Sequence, residues 1–154
     1  IYIGANFRLG PLGFLSTGQE DCWGNFGLKD QTQVLKWINE NIVSFGGNPN
    51  LVTIFGESAG GASVTYHMQS QLSKGLFHRG ISQSGTNLAP WGAVAHKEVA
   101  QSRSQRLGEM MGCPLDDSNY SAMIECLRKV PAKNITEAFY DFFEWDTDPM
   151  VRIF

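Results

Sequence analysis

No run of apolar residues in this 154-residue chain approaches the about 18 that a bilayer-spanning helix requires, so nothing in it reads as a membrane span. Basic residues are sparse and scattered. Twelve Lys and Arg stand against fifteen Asp and Glu, for a formal net charge of -3, and they form no cluster. Nucleic acid and anionic membrane surfaces are both recognised by concentrated positive charge, so neither is expected as a partner. A charged-then-apolar leader is missing as well. Phosphate-cradling strings of the G-x-x-x-x-G-K-[ST] or strand-borne G-x-G-x-x-G type do not occur. The three cysteines and three histidines lack zinc-ligand spacing, so neither a metal nor an organic cofactor is expected.

What is present is the composition of a globular domain, 42% hydrophobic and 18% charged. The chain opens on Ile1-Tyr2-Ile3-Gly4-Ala5-Asn6-Phe7, which reads as a strand. We therefore expect residues 1–154 to be part of a single α/β domain truncated at both ends.

The most informative segment is Gly56-Glu57-Ser58-Ala59-Gly60, set directly after the apolar run Leu51-Val52-Thr53-Ile54-Phe55. G-x-S-x-G between a strand and a helix is the nucleophile-elbow pattern, and it makes Ser58 a candidate nucleophile. A serine there must turn sharply from strand to helix, so the residues two before and two after it have to be small. Gly56 and Gly60 meet that demand, and Gly61 adds slack. The strand ending at Phe55 is apolar apart from Thr53, as a central strand covered on both faces should be.

Before this strand, residues 25–45 carry Leu28, Leu35, Ile38, Ile42 and Phe45 at helical spacing, with Lys29, Asp30, Gln33, Lys36 and Glu40 between them. That predicts one amphipathic helix, ended by Gly46-Gly47-Asn48-Pro49-Asn50. After Ser58 a helix is predicted to about Leu72, with Ala59, Ala62 and Ser63 as small packing residues, then a strand at residues 79–84. Strand, helix and strand make a right-handed βαβ crossover with parallel strands. Helices are predicted at residues 93–111 (through Val94, Val99, Leu107 and Met110), 118–129 and 134–143, so the last third reads as a helical region without strands.

Cys113 and Cys126 bracket a short polar segment. Joined, they would remove unfolded-chain entropy worth roughly 3 kcal/mol; the alternative is two buried thiols. The sequons Asn119-Tyr120-Ser121 and Asn134-Ile135-Thr136 favour a secretory setting, in which both disulfides and glycans form. Cys22 stands outside this pair.

Together these residues resemble the type-B carboxylesterase and cholinesterase family of the α/β-hydrolase fold, over nearly the whole chain. Asn6-Phe7-Arg8-Leu9-Gly10-Pro11-Leu12-Gly13-Phe14-Leu15 is similar to the family's N-Y-R-x-G-x-x-G-F-L stretch, with Phe7 in place of tyrosine. Gly24-Asn25-Phe26-Gly27-Leu28-Lys29-Asp30-Gln31 is similar to G-N-x-G-L-x-D-Q, and Phe45-Gly46-Gly47-Asn48-Pro49 to F-G-G-[DN]-P. Residues 18–30 and 74–85 look most like insect esterases.

The resemblance implies roles residue by residue. Ser58 matches the acylated nucleophile and the Ala59 amide an oxyanion-hole donor. Glu57 matches a glutamate beside the serine that is not the triad acid; it reads either as a buried hydrogen-bonding group or as part of the site. Trp91 matches an acyl-pocket tryptophan, though it equally fits a core role, and Ser84 matches a second serine near the triad or a loop hydroxyl. Cys113 and Cys126 match a family disulfide. The remaining oxyanion glycines of the family lie upstream of this segment, and its triad glutamate and histidine lie downstream. His67, His78 and His96 each read as surface or helix-packing residues rather than the general base. The expected function is hydrolysis of small carboxylic esters by the full-length protein, with this segment inactive alone. The competing reading is a cholinesterase-like adhesion module that binds without hydrolysing. Nothing in the sequence sets the oligomeric state or the identity of the ester.

Overall fold

The computed structural model describes residues 1–93, 96–116, 119–138 and 141. In chain order its elements are α1 (Gly10–Phe14), α2 (Phe26–Asn41), β1 (Thr53–Glu57), α3 (Ala59–Gln69), β2 (Arg79–Gln83), α4 (Lys97–Met110), α5 (Ser121–Leu127) and α6 (Ala132–Ala138). Short 3-10 turns lie at Ile42–Phe45, Pro49–Leu51 and Gln71–Ser73. The chain divides into two compact units, one from residues 1–7 and 28–93, the other from residues 8–27 and the described residues from His96 on.

The first unit is built on parallel β1 and β2 joined through α3, the predicted strand–helix–strand order. Thr53 lies opposite Arg79 and Glu57 opposite Gln83. β1 alternates, with Ile54 and Gly56 half-buried and Thr53, Phe55 and Glu57 exposed. The half-buried face meets α3, since a Cβ on Gly80 would come within 2.9 Å of Val64 and 4.0 Å of Ile54. Coverage of β1 on both faces is therefore not realised: Phe55 is 58% exposed and Ile81 on β2 53%. Nor does residues 1–7 form a strand, because an extended segment becomes a strand only by pairing and no ladder partner reaches it among the described residues.

α2 follows its predicted stripe with Leu35 buried, and Ile42 in the 3-10 turn after it is buried as well. The α-helix itself stops at Asn41, short of the predicted end, and a 3-10 turn over Ile42–Phe45 carries the chain to the glycines. Gly46 takes φ 81° at the C-cap of the following 3-10 turn, with its N–H donating to the carbonyls of Ile42 and Val43. Phe45 departs from the stripe: the 3-10 turn rotates it away, leaving it 62% exposed against Trp37, with ring centroids 5.8 Å apart. On α3 the buried small residues are Gly61 and Ala62. Ala59 is exposed and Ser63 half-buried, so they do not serve the predicted packing face.

The second unit is helical in its described residues. Leu107 on α4, Met123, Ile124 and Leu127 on α5, Ile135 and Ala138 on α6 and the side chains of Cys22, Cys113 and Tyr120 form one buried cluster. Gly108 lets α5 approach, since a Cβ there would lie 2.6 Å from the Met123 sulfur. Val99 is exposed, and Ser104 takes an inner position by donating to the Ser16 carbonyl at 2.7 Å. The helix predicted from residue 93 begins instead at Lys97, while Val94 and residues 139, 140, 142 and 143 of the predicted last helix lie outside the described residues. Near the start of the unit, the Arg8 guanidinium sits over the Phe26 ring at 5.5 Å. A Cβ on Gly27 would meet the Arg8 carbonyl at 2.4 Å, which accounts for glycine in that stretch.

Candidate active site

β1 runs two residues further than Phe55 and delivers the chain directly to Ser58. The Ser58 N–H donates to the Gln83 carbonyl at 2.9 Å, so the β1–β2 ladder is pinned up to the serine itself. There the backbone turns at φ 54°, ψ -117° and α3 begins at the next residue. A non-glycine residue with such dihedrals costs on the order of 1–3 kcal/mol and persists only where its surroundings over-determine it. Those surroundings are backbone packed against backbone. A Cβ on Gly56 would lie 2.4 Å from the Gly60 carbonyl carbon, and one on Gly85 would lie 1.9 Å from the Ser58 carbonyl oxygen.

Two readings of the turn glycines change. A Cβ on Gly60 would meet nothing within 4 Å, so the crowding falls on Gly56. Gly61 is not slack but a close approach, its Cβ position 2.8 Å from the Gln83 carbonyl. Gly85, together with Ser82, escaped sequence reasoning. Ser82 donates to the Gly61 carbonyl at 3.0 Å and lies against the Gly85 carbonyl, tying β2 to the first turn of α3. The role of Gly85 depends on its contact with the Ser58 carbonyl, which no local pattern signals.

Glu57, Ser58 and Ala59 are all exposed. The first N–H groups of α3 have no partner within the helix, and its first turn holds no acidic residue to neutralise them. A negative charge developing beside Ser58 would face the positive end of an 11-residue helix. Glu57 ends β1 as an exposed residue rather than a buried one. Ser84, just past β2, is exposed with φ 51°, a second serine in a left-handed conformation. Trp91 is half-buried in the turn region after β2, next to Gly92, whose carbonyl accepts the Tyr66 hydroxyl.

The histidines take separate places. His67 is buried, its Nδ1 2.8 Å from Ser73 Oγ and its Nε2 2.8 Å from Gln31 Oε1, and burial pushes its pKa below the usual 6.5. His78 accepts from the Val52 N–H at 3.3 Å through Nδ1. His96 is the exposed N-cap residue of α4.

In the second unit Cys113 and Cys126 are joined as a disulfide. Cys22 is buried outside it, its thiol donating to the Leu15 carbonyl at 3.2 Å. Asn119 is exposed, with Oδ1 accepting from the Ser121 N–H at 2.9 Å. Asn134 is exposed on α6. Asp117 and Ser118 of the polar segment between the two cysteines lie outside the described residues. Among the described residues no group of three or more His, Cys, Asp or Glu could hold a metal, and no helix is long and apolar enough to cross a membrane.

A groove of about 900 Å³ opens in the first unit between residues 1–7, α2, β1 and α3. Leu35, Ile42, Ile54 and Val64 supply its apolar wall, and Gln31 and His67 its polar end. Ser58 is not part of this lining, so this groove and the strained serine are separate features.

Residues 1–154 match the Carboxylesterase family throughout. The chain is 50% identical to venom carboxylesterase-6 of Apis mellifera over 149 residues, 97% of this chain and 26% of that one. It is 48% identical to esterase E4 of Myzus persicae, again covering 97% of this chain and 26% of the relative. Bile salt-activated lipase of Homo sapiens is 45% identical over 139 residues, 90% of this chain and 18% of that protein. The chain thus spans about a quarter or less of the length of these relatives. With its parallel β1–α3–β2 unit and full-length match, the chain belongs to the carboxylesterase family and so to the α/β-hydrolase fold.

Proposed function

We propose that this chain supplies the nucleophile of a carboxylic ester hydrolase, with the β1–Ser58–α3 turn acting as its nucleophile elbow. The observation that carries this reading is the exposed Ser58 held at φ 54° at the head of an 11-residue helix. In it, Ser58 Oγ attacks the ester carbonyl carbon while a base removes its proton, and the carbonyl electron pair moves onto oxygen. The Ala59 N–H donates to that oxyanion, a contact worth about 3 kcal/mol in comparable sites. Collapse expels the alcohol with the proton returned from the base, and water then cleaves the acyl-enzyme by the same sequence. Glu57, Ser84 and Trp91 border the reacting centre.

The base and the remaining oxyanion donors come from elsewhere in a longer protein, in keeping with the quarter of the relatives' length that this chain spans. Residues 1–154 are then one part of a single hydrolase domain and do not turn over esters alone. The sequons at Asn119 and Asn134 and the Cys113–Cys126 bridge favour a secreted glycoprotein acting on small-molecule esters.

Replacing Ser58 with alanine in the full-length protein tests the assignment. Turnover of a short-chain aryl ester should fall on the order of a millionfold with the melting temperature unchanged. Turnover near the wild-type rate, with contaminating esterase excluded, would remove Ser58 from its role. A wild-type protein inert toward esters would favour the adhesion reading instead.

A further inference from the structure

His67 is the buried titratable group that the ester-cleaving chemistry leaves unused. It lies nine residues beyond Ser58 on α3, about 13 Å along the helix axis at 1.5 Å per residue, too far to take the serine's proton. Its hydrogen bonds run in one continuous line. Ser63 Oγ donates to the Ala59 carbonyl at 2.9 Å, which spends its hydroxyl proton and leaves the oxygen as an acceptor. Gln31 Nε2 donates to that oxygen over a longer 3.4 Å. The Gln31 amide is thereby oriented with Oε1 toward His67, 2.8 Å away, which requires a proton on His67 Nε2. With Nε2 protonated, the Nδ1 lone pair of the neutral ring accepts from the Ser73 hydroxyl at 2.8 Å. Ser73 Oγ in turn lies 3.4 Å from Thr32 Oγ1, whose proton goes to the Leu28 carbonyl on α2.

The line begins on the carbonyl of Ala59, the residue whose amide faces the developing oxyanion, and it anchors on α2 at Gln31. Ser73 and Thr32 are 0% and 6% exposed, so water does not substitute for their partners. No side-chain nitrogen or oxygen buried among the described residues is left without a hydrogen bond. Helix α3 packs through Gly61, Ala62 and Val64, only the last of them a large side chain. A directional polar line specifies rotation where smooth packing does not.

We propose that His67 is a positioning residue of the esterase, clamping α3 to α2 through Gln31 and to the following 3-10 turn through Ser73 so that Ser58 and the Ala59 amide keep their aim. It acts through Ser63 and the first helical turn and never touches substrate. This rests on Ser58 being the nucleophile, and the test separates the two claims.

In the full-length protein, the second-order rate of Ser58 phosphonylation by a fluorophosphonate and the kcat and KM for an aryl ester are compared among wild type, His67→Leu, Gln31→Leu, the double variant and His67→Gln. Leucine keeps bulk while deleting both polar ends; glutamine offers an N–H donor toward Gln31 and a carbonyl acceptor toward Ser73. We expect His67→Leu to lower kcat and the phosphonylation rate about tenfold with KM within twofold, measured well below its melting temperature. Gln31→Leu should cost a similar factor, the double variant no more than either alone, and His67→Gln should recover most of the loss. Wild-type rates in a folded His67→Leu, or equal losses in the leucine and glutamine variants, would overturn the positioning role while leaving Ser58 in place. Wild-type protein that does not react at Ser58 would overturn both.

Discussion

The two units of this chain differ in what they enclose. The helical unit shuts Leu107, Met123, Ile124 and Leu127 into a cluster of its own and ties one side with the Cys113–Cys126 disulfide. The unit that carries Ser58 leaves Phe55 and Ile81 open on a two-stranded sheet and a groove of about 900 Å³ beside it. Parallel strands are normally buried on both faces. The candidate chemistry therefore sits on the less self-sufficient unit, and its precision comes from backbone contacts at one point rather than from a surrounding core.

That contrast breaks most sharply at Gly85. Its Cβ position overlaps the Ser58 carbonyl oxygen at 1.9 Å, so Gly85→Ala must displace the turn or β2. Displacements of about 1 Å near reacting groups cost on the order of a hundredfold. We expect at least that loss in kcat, with overpacking costing about 1–3 kcal/mol of stability. Full activity in the variant, by ester turnover, would show that the turn is not held by this contact.

The helical unit should behave in the opposite way. Replacing Cys113 and Cys126 with serine opens a loop spanning 13 positions and should cost roughly 3 kcal/mol, read as a lower melting temperature. Reactivity at Ser58, measured at a temperature where the protein is folded, should stay within twofold. Loss of that reactivity would mean that the two units are not separable in this sense.

A smaller effect comes from His67. Burial depresses its folded-state pKa below 6.5 while the unfolded chain titrates normally. As pH falls through 6.5 the unfolded state takes up a proton that the folded state refuses, so stability declines until the depressed folded pKa is passed. Above 6.5 both states are neutral and the contribution is flat. Melting temperature should therefore drop between pH 6.5 and 5 more in wild type than in His67→Gln. Parallel curves would show that His67 does not contribute to acid sensitivity.

The parts legible in the sequence are those decided by neighbours along the chain. The strand–Ser58–helix order, the helical stripe through Leu35 and Ile42 and the stop of the 3-10 turn after α2 at Gly46 all follow from local sterics and periodicity. Periodicity gives the phase of a stripe but not what covers it, which is why Phe45 and Val99 are exposed and the outer face of β1 is open. Residues 1–7 carry the composition of a strand, yet pairing depends on a partner that composition cannot supply. The contact of Gly85 with Ser58 and the bonds of Gln31 to Ser63 and His67 join residues 27 to 36 positions apart, and no local motif encodes such contacts. Cys113 and Cys126 were open between thiols and a bridge until the family resemblance favoured the bridge, and the structure joins them.

The central claim is that Ser58 is the acylated nucleophile. Incubating the full-length protein with a fluorophosphonate, digesting it and mapping the modified peptide by mass spectrometry tests that most directly. One adduct per chain should form on the peptide containing Gly56-Glu57-Ser58-Ala59-Gly60, in step with loss of ester hydrolysis. An adduct on Ser84 or another residue, or complete inhibition with Ser58 unmodified, would contradict it.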